Sequence, residues 1–341
     1  MPNIKKMLKD KTILITGGTG FLGRSLIKEI LNYDPQSIRI FSRDEVKHYL
    51  LQEEMRFHDK KNKLRYLVGD VRDFERLKKA MKGCHIVIHA AALKRIDMIE
   101  YNVEEAIKTN ILGTSNLVRS AIENDVEKVI FVSTDKACSP INTYGACKLV
   151  GERIIIESNF SKGKAKTVFS CVRYGNVINS TGSVIPFFMD KIKNNQDIPL
   201  TDERMTRFLI SEERAVRLIF SAIFYSIGGE VFIPKLPSVR MVDLIDGLKE
   251  IYGKNNRVIK LGTRPGEKIH ESMFNEAESP RTHDFEDNYV IVSQIGKYQK
   301  GKTHKYLDNS RLVNFNEYSS NNNPLPKEEV KQYLKKILKI K

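Results

Sequence analysis

The chain has 341 residues, 41% hydrophobic and 29% charged, with a formal net charge of +15. That length predicts one large domain with a smaller one beside it. No apolar run approaches the ~20 residues that cross a bilayer, and MPNIKKMLKD at the start has no apolar stretch behind its basic residues. Neither a membrane span nor a secretory signal is expected, and the cytoplasm is the expected compartment.

TILIT (12–16) reads as the first strand. It runs into Thr16-Gly17-Gly18-Thr19-Gly20-Phe21-Leu22-Gly23, which opens a helix over 23–32. Glycines there let the backbone turn tightly and approach a pyrophosphate, whose charge meets the free N–H groups of the helix start. Gly17, Thr19, Gly20, Phe21, Leu22 and Gly23 are therefore candidate cofactor contacts. IRIFS (38–42) is the second strand, ending at Ser42-Arg43-Asp44 with Lys47 one turn on. An acidic residue at this tip suits the ribose hydroxyls of NAD, and an arginine suits the 2′-phosphate of NADP. Arg43 comes first, so NADP is expected, with Asp44 keeping NAD open.

LRYLVGD (64–70) is the third strand, with a helix over 73–82, and places Asp70 and Val71 at the adenine edge. HIVIHAA (85–91) is the fourth, leading to a small-residue floor at Ala90, Ala91 and Ala92. His85 and His89 are spaced for a metal on a helix but lie in this strand, so no metal is expected. After a helix over 103–123, KVIFVST (128–134) is the fifth strand and TVFSCVRYG (167–175) the sixth, with a helix over 145–158 between them. Strict alternation predicts an α/β fold: a Rossmann-type, doubly wound parallel sheet.

Beyond Gly175 the rhythm breaks into short strands, loops and prolines over 176–208 and 231–300, with a helix at 211–226. The expected division is a nucleotide-binding domain over 1–175 plus about 209–230. A smaller, discontinuous substrate domain takes 176–208 and 231–341 and closes with an amphipathic helix at 327–340. Cys84, Cys138, Cys147 and Cys171 form no C-x-x-C pair and read as reduced thiols. The lysines are scattered without an aromatic–basic module, so the charge reads as a generally basic surface. It would also attract an anionic nucleotide, and no nucleic-acid partner is expected.

The second strong signal is Tyr144-Gly-Ala-Cys-Lys148, with Ser133-Thr134 upstream at the end of the fifth strand. Y-x-x-x-K puts both side chains on one helix face. There the ammonium lowers the tyrosine pKa, so the phenolate can take a proton from a sugar hydroxyl while hydride leaves the same carbon.

With these motifs the chain resembles the extended short-chain dehydrogenases/reductases. Within them, Ser-Thr-Asp-Lys-Ala (133–137), Arg-Tyr-Gly-Asn-Val (173–177), Gly-Ser-Val-Ile-Pro-Phe-Phe (182–188), Met-Thr-Arg-Phe (205–208) and Arg-Pro-Gly-Glu-Lys (264–268) resemble UDP-N-acetylglucosamine 4,6-dehydratases. The likeness runs from about residue 10 to 295, and Asp135-Lys136 is its most discriminating feature. It implies that Tyr144, Lys148 and Thr134 serve oxidation at C4, that Lys136 is the C5 base, and that Asp135 is the acid for the departing C6 hydroxyl. Those last two roles need a neutral lysine and a protonated aspartate, both against their free pKa values.

The resemblance further implies that Lys94, Asn176, Arg207, Arg264 and Glu267 grip a UDP-amino-sugar. Arginine forks suit the diphosphate. Tyr at 144 with no membrane region resembles the soluble, C5-inverting enzymes of pseudaminic acid synthesis, and a homo-oligomer is the expected assembly. The chain departs from the family at Ser180-Thr181-Gly182-Ser183, at Ile96-Asp97 and at Val103, which leaves the sugar open. Two other functions compete: a UDP-sugar 4-epimerase, which loses no water, and a non-catalytic NADP-binding regulatory protein. The intact Tyr144/Lys148 and Asp135-Lys136 pairs argue against the second.

Overall fold

The structure is a computed structural model describing residues 4–178, 180, 183–263, 265–295 and 304–340. Six strands, β1 (Thr12–Thr16), β2 (Ser37–Ser42), β3 (Leu64–Val68), β4 (Ile86–His89), β5 (Lys128–Val132) and β6 (Val168–Val172), pair in parallel in the order β3-β2-β1-β4-β5-β6. That is the doubly wound sheet the alternation predicts. All five residues of β1 are buried because its two faces meet different cores. Ile13 and Ile15 join Leu26, Ile30 and Ile219 on one side, while Leu14 joins Phe41, Leu77 and Leu117 on the other.

Several expected strands ran two or three residues too far at their carboxyl ends. Those residues (Gly69-Asp70, Ala90-Ala91, Ser133-Thr134) leave the ladder and line the sheet edge. The helix Glu45–Met55 was not expected; it starts where the Asp44 carboxylate accepts from Lys47 N at 3.0 Å. Helices also occupy Val184–Lys193 and Met241–Tyr252, where short strands and loops were expected. Their apolar faces, with the helix Lys327–Leu338, form a third core around Phe188, Leu244, Leu248 and Leu334.

The expected division at residue 230 also differs from the topology. Val231–Pro234 adds to β6 in parallel, and Asn288–Ile291, Thr282–Phe285 and Arg311–Leu312 extend the same sheet antiparallel. Val231, Ile233 and Ile291 are buried in the second core, and this apolar face ties them to the sheet. Among the described residues, no helix is long and apolar enough to cross a membrane.

Candidate functional site

The carboxyl edge of the sheet gathers both sequence motifs. Gly17 has φ +68°, and a Cβ on it would lie 2.8 Å from Ala91 N. A Cβ on Gly23 would lie 2.3 Å from Gly18 O, so only glycine lets the helix Phe21–Leu31 pack onto the loop. Gly20 is exposed at the N-cap, with no side-chain cap bond, which leaves first-turn N–H groups pointing out of the edge. Thr19 N donates to Ser42 Oγ at 3.3 Å, fastening this loop to the end of β2. Phe21, Leu22, Ala90, Ala91 and Ala92 are half-buried around it.

Arg43 and Lys47 are exposed. Asp44 is taken up by its own helix, accepting from Lys47 N and lying 3.2 Å from Lys47 Nζ. Asp70 accepts from Arg72 N and Nε at 2.9 and 2.8 Å and lies 3.6 Å from Arg43. Val71 is buried against Gly113, where a Cβ would approach it to 2.7 Å, so its side chain belongs to the core. His85 Nδ1 accepts from Thr12 N, and His89 lies between Thr16 and Thr114 hydroxyls. Burial, then the Lys148 charge, push His89 down to about 3, which keeps it neutral.

Thr134, Asp135 and Lys136 turn off the end of β5 in a single 3₁₀ turn. Thr134 Oγ1 donates to Asp135 Oδ1 at 2.9 Å, and its hydroxyl acts on the Tyr144 phenol to lower its pKa. Asp135 is fully buried, with Oδ1 3.0 Å from Lys136 Nζ and Oδ2 without a partner among the described residues. Burial alone would lower the Lys136 pKa, but Asp135 and Glu271 outweigh it and hold the ammonium above the usual lysine range. Burial pushes the Tyr144 phenol up to about 12, opposed by Lys136 and the Thr134 hydrogen bond.

Lys148 stands one turn after Tyr144 on the Thr143–Ser161 helix. Its Nζ donates to Val132 O at 2.5 Å and lies 3.8 Å from the centre of the Phe131 ring, and burial brings it down to about 8. The charges acting on Tyr144 are those of Lys136 and Asp135.

Of the expected substrate contacts, Asn176 and Glu267 carry side-chain oxygens (Oδ1 and Oε2) buried without a partner among the described residues. Lys94 is exposed. Arg207 is buried against the 267–270 segment, and its terminal nitrogens donate to the carbonyls of Thr206, Lys268 and Ile269 at 2.8–2.9 Å. Arg264 lies outside the described residues.

The family described as "Polysaccharide biosynthesis protein" matches residues 13–293. The chain belongs to that family. Its fold is that of the extended short-chain dehydrogenases/reductases.

This family member is 45% identical over 291 residues to a Campylobacter jejuni protein named UDP-N-acetylglucosamine 4,6-dehydratase (inverting), covering 85% of each chain. It is 42% identical to a Methanocaldococcus jannaschii protein named an uncharacterized membrane protein, covering 98% of each. It is 40% identical to a Rickettsia bellii protein named UDP-glucose 4-epimerase, covering 96% of each. The solved structure of Pen from Bacillus thuringiensis superposes with a TM-score of 0.89 at 39% identity, covering 96% of this chain and 98% of that one.

Two residues of the site escaped sequence reasoning. Asn110 lies in a π-helical turn (Ile107–Leu112) and pins Leu93 through both its amide atoms, at 2.8 and 2.9 Å. That sets the loop carrying Ala90–Lys94, a common use of such turns. Glu271 brings a second buried carboxylate to Lys136, with Oε1 3.2 Å from Nζ. It lies three residues beyond Arg-Pro-Gly-Glu-Lys, and no motif marks it.

Proposed function

We propose that this chain is a UDP-N-acetylglucosamine 4,6-dehydratase that inverts C5 and uses NADP. The observation that carries the reading is the pair of buried Asp135 and half-buried Lys136, both acting on the Tyr144 phenol, at the edge that also bears the glycine loop. The identity to the Campylobacter jejuni dehydratase supports it. The glycine loop fits a dinucleotide: Gly17 and Gly23 have no room for a Cβ, and the helix behind them keeps its first N–H groups free. When bound, that group supplies a hydride acceptor for C4 and a donor for C6.

The chain's own residues then manage protons. Tyr144 takes the O4 proton as C4 is oxidised. The ketone acidifies C5; with the proton of the Lys136–Asp135 pair moved onto Asp135, Lys136 takes the C5 proton, and Asp135 gives its proton to the C6 oxygen, which leaves as water. Atom balance requires the O4 proton to end on that water, since the C5 position regains a hydrogen. Thr134, which donates to Asp135 and acts on the Tyr144 phenol, stands between the two ends of that transfer. The oxygens of Asp135, Asn176 and Glu267 that have no partner among the described residues suit a ligand rich in hydroxyls and N–H groups. A homo-oligomer is supported by Val103, Ile107, Leu112 and Val150, apolar yet exposed on neighbouring helices.

Incubation with UDP-N-acetylglucosamine should yield a product lighter by one water, read by mass spectrometry. Unchanged mass with inverted C4 would replace this reading by the epimerase named for the Rickettsia relatives, and no turnover would overturn both.

NADP is favoured because Asp44 is engaged as a helix cap while Arg43 is exposed with a single long pairing to Asp70. Arg43→Ala should weaken NADP by roughly 1.5–3 kcal/mol, the worth of a charged hydrogen bond, and leave NAD nearly unchanged. Equal losses in fluorescence titrations would show that Arg43 does not read the phosphate.

A further inference from the structure

Lys136 is held between two buried carboxylates, and the strand-end motif contains only one of them. Its Nζ lies 3.0 Å from Asp135 Oδ1 and 3.2 Å from Glu271 Oε1. Glu271 is 2% exposed, and its Oε2 has no partner among the described residues. Burying a carboxylate this deeply is costly unless its charge is used. The backbone holds it in place: Glu271 N donates to Ser320 Oγ at 3.0 Å, and Ser320 N donates to Glu271 O at 2.8 Å. Just upstream, Lys268 Nζ donates to Cys138 O at 2.6 Å and Asn142 Nδ2 to Gly266 O at 2.7 Å. The 266–271 segment is thus docked on the turn that carries Lys136.

We propose that Glu271 is the positioning residue for Lys136 in the elimination step, supplying the counter-charge for the ammonium formed there. The proposal rests on the dehydratase reading. When the C5–H bond breaks, its proton joins the Nζ lone pair and its electrons pass into the enolate. Asp135 at that moment still carries the proton destined for the C6 oxygen, so it is neutral. Glu271 is then the carboxylate beside the new ammonium, and it offsets the neighbouring Arg207, whose charge acts against a cation on Lys136. Asp135 next protonates the C6 oxygen as the C6–O bond breaks, and water leaves. Glu271 acts through Lys136 and touches no reacting atom.

The test is Glu271→Gln in the full chain, with Glu271→Asp as the charge-keeping control. The measurements are KM for UDP-N-acetylglucosamine, single-turnover appearance of reduced nicotinamide, C5 hydrogen exchange in deuterated water, and the pH dependence of kcat. Glu271→Gln should keep KM and nicotinamide reduction near wild type and slow C5 exchange roughly 10–100-fold, as loss of an orienting partner does elsewhere. The groups facing Lys136 are Asp135, Glu271, Arg207 and the Tyr144 phenol. Removing one negative charge from this set loosens the proton shared by Lys136 and Asp135, so the alkaline limb of kcat should move to lower pH. Glu271→Asp should restore much of the rate and the limb. Wild-type C5 exchange in the Gln variant would overturn the proposal, and so would parallel losses of reduction, KM and exchange, which mark a structural role. If the wild-type chain releases no water, the dehydratase reading itself fails; if it does and the Gln variant is unimpaired, only the role of Glu271 fails.

Discussion

Lys136→Met should all but abolish exchange of the C5 hydrogen while still allowing reduced nicotinamide to form, and Tyr144→Phe should stop that first reduction. The two roles separate because the geometry separates them. Lys136 Nζ is embraced by Asp135 and Glu271, whereas the Tyr144 hydroxyl belongs to a separate helix, Thr143–Ser161. Oxidation at C4 needs a base for the hydroxyl proton; elimination needs a base at C5 and an acid at C6. Methionine keeps much of the lysine's length but accepts no proton. Phenylalanine keeps the ring of Tyr144 and removes the one atom that accepts the O4 proton. Losing a positioned acid or base typically costs ~10²–10⁴ in rate, which single-turnover absorbance and deuterium incorporation resolve. Wild-type C5 exchange in Lys136→Met would remove Lys136 from the mechanism. Rapid nicotinamide reduction in Tyr144→Phe would do the same for Tyr144.

The largest stability effect is expected at Arg173. This side chain is 1% exposed and forks in two directions from the end of β6. Its Nε and NH2 donate to the two oxygens of Glu152 at 3.0 and 2.6 Å, and NH1 and NH2 donate to Glu278 at 2.8 and 3.0 Å. NH1 also donates to Met273 O at 2.6 Å. Glu152 belongs to the Thr143–Ser161 helix that carries Tyr144 and Lys148, while Glu278 lies far along the chain. One guanidinium thus joins the sheet, the site helix and the C-terminal segment. Arg173→Met keeps the volume but leaves Glu152 without its guanidinium and Glu278 with only the longer pairing to Arg281 at 3.9 Å, both in the interior. Breaking a buried pair in this way costs about 3–5 kcal/mol, which urea unfolding would register as a lower midpoint. Arg173→Lys should also be destabilising, because one ammonium cannot reproduce two bidentate contacts. A midpoint unchanged in Arg173→Met would show that the network adds nothing to stability.

The sequence by itself determined the nucleotide-binding half of the sheet. Apolar runs separated by helix-period segments admit few topologies besides parallel, right-handed crossovers. Gly17 and Gly23 were legible because a turn with positive φ and a close helix approach exclude every other residue. Tyr144 and Lys148 were legible because the helical period puts them on one face. These are local constraints, written within a few positions of one another. What the period left open was the partner of each side chain: Lys148 satisfies the carbonyl of Val132 across from its helix. Arg207 shows the same limit: its fork meets three backbone carbonyls through burial against the 267–270 segment, which its neighbours in the sequence do not encode.

Only the tertiary structure decided that Val231–Pro234, Thr282–Phe285 and Asn288–Ile291 rejoin the main sheet, that Asn110 sets the loop after β4, and that Glu271 faces Lys136. Glu271 is 135 positions from Lys136 in the chain, and nothing local to either residue encodes the contact. It follows from where the 266–271 segment docks, and that docking is set by hydrogen bonds to Cys138, Asn142 and Ser320. A sequence pattern records what a residue can do within a turn of its neighbours; the charge it meets in the folded chain depends on packing between segments far apart in the sequence.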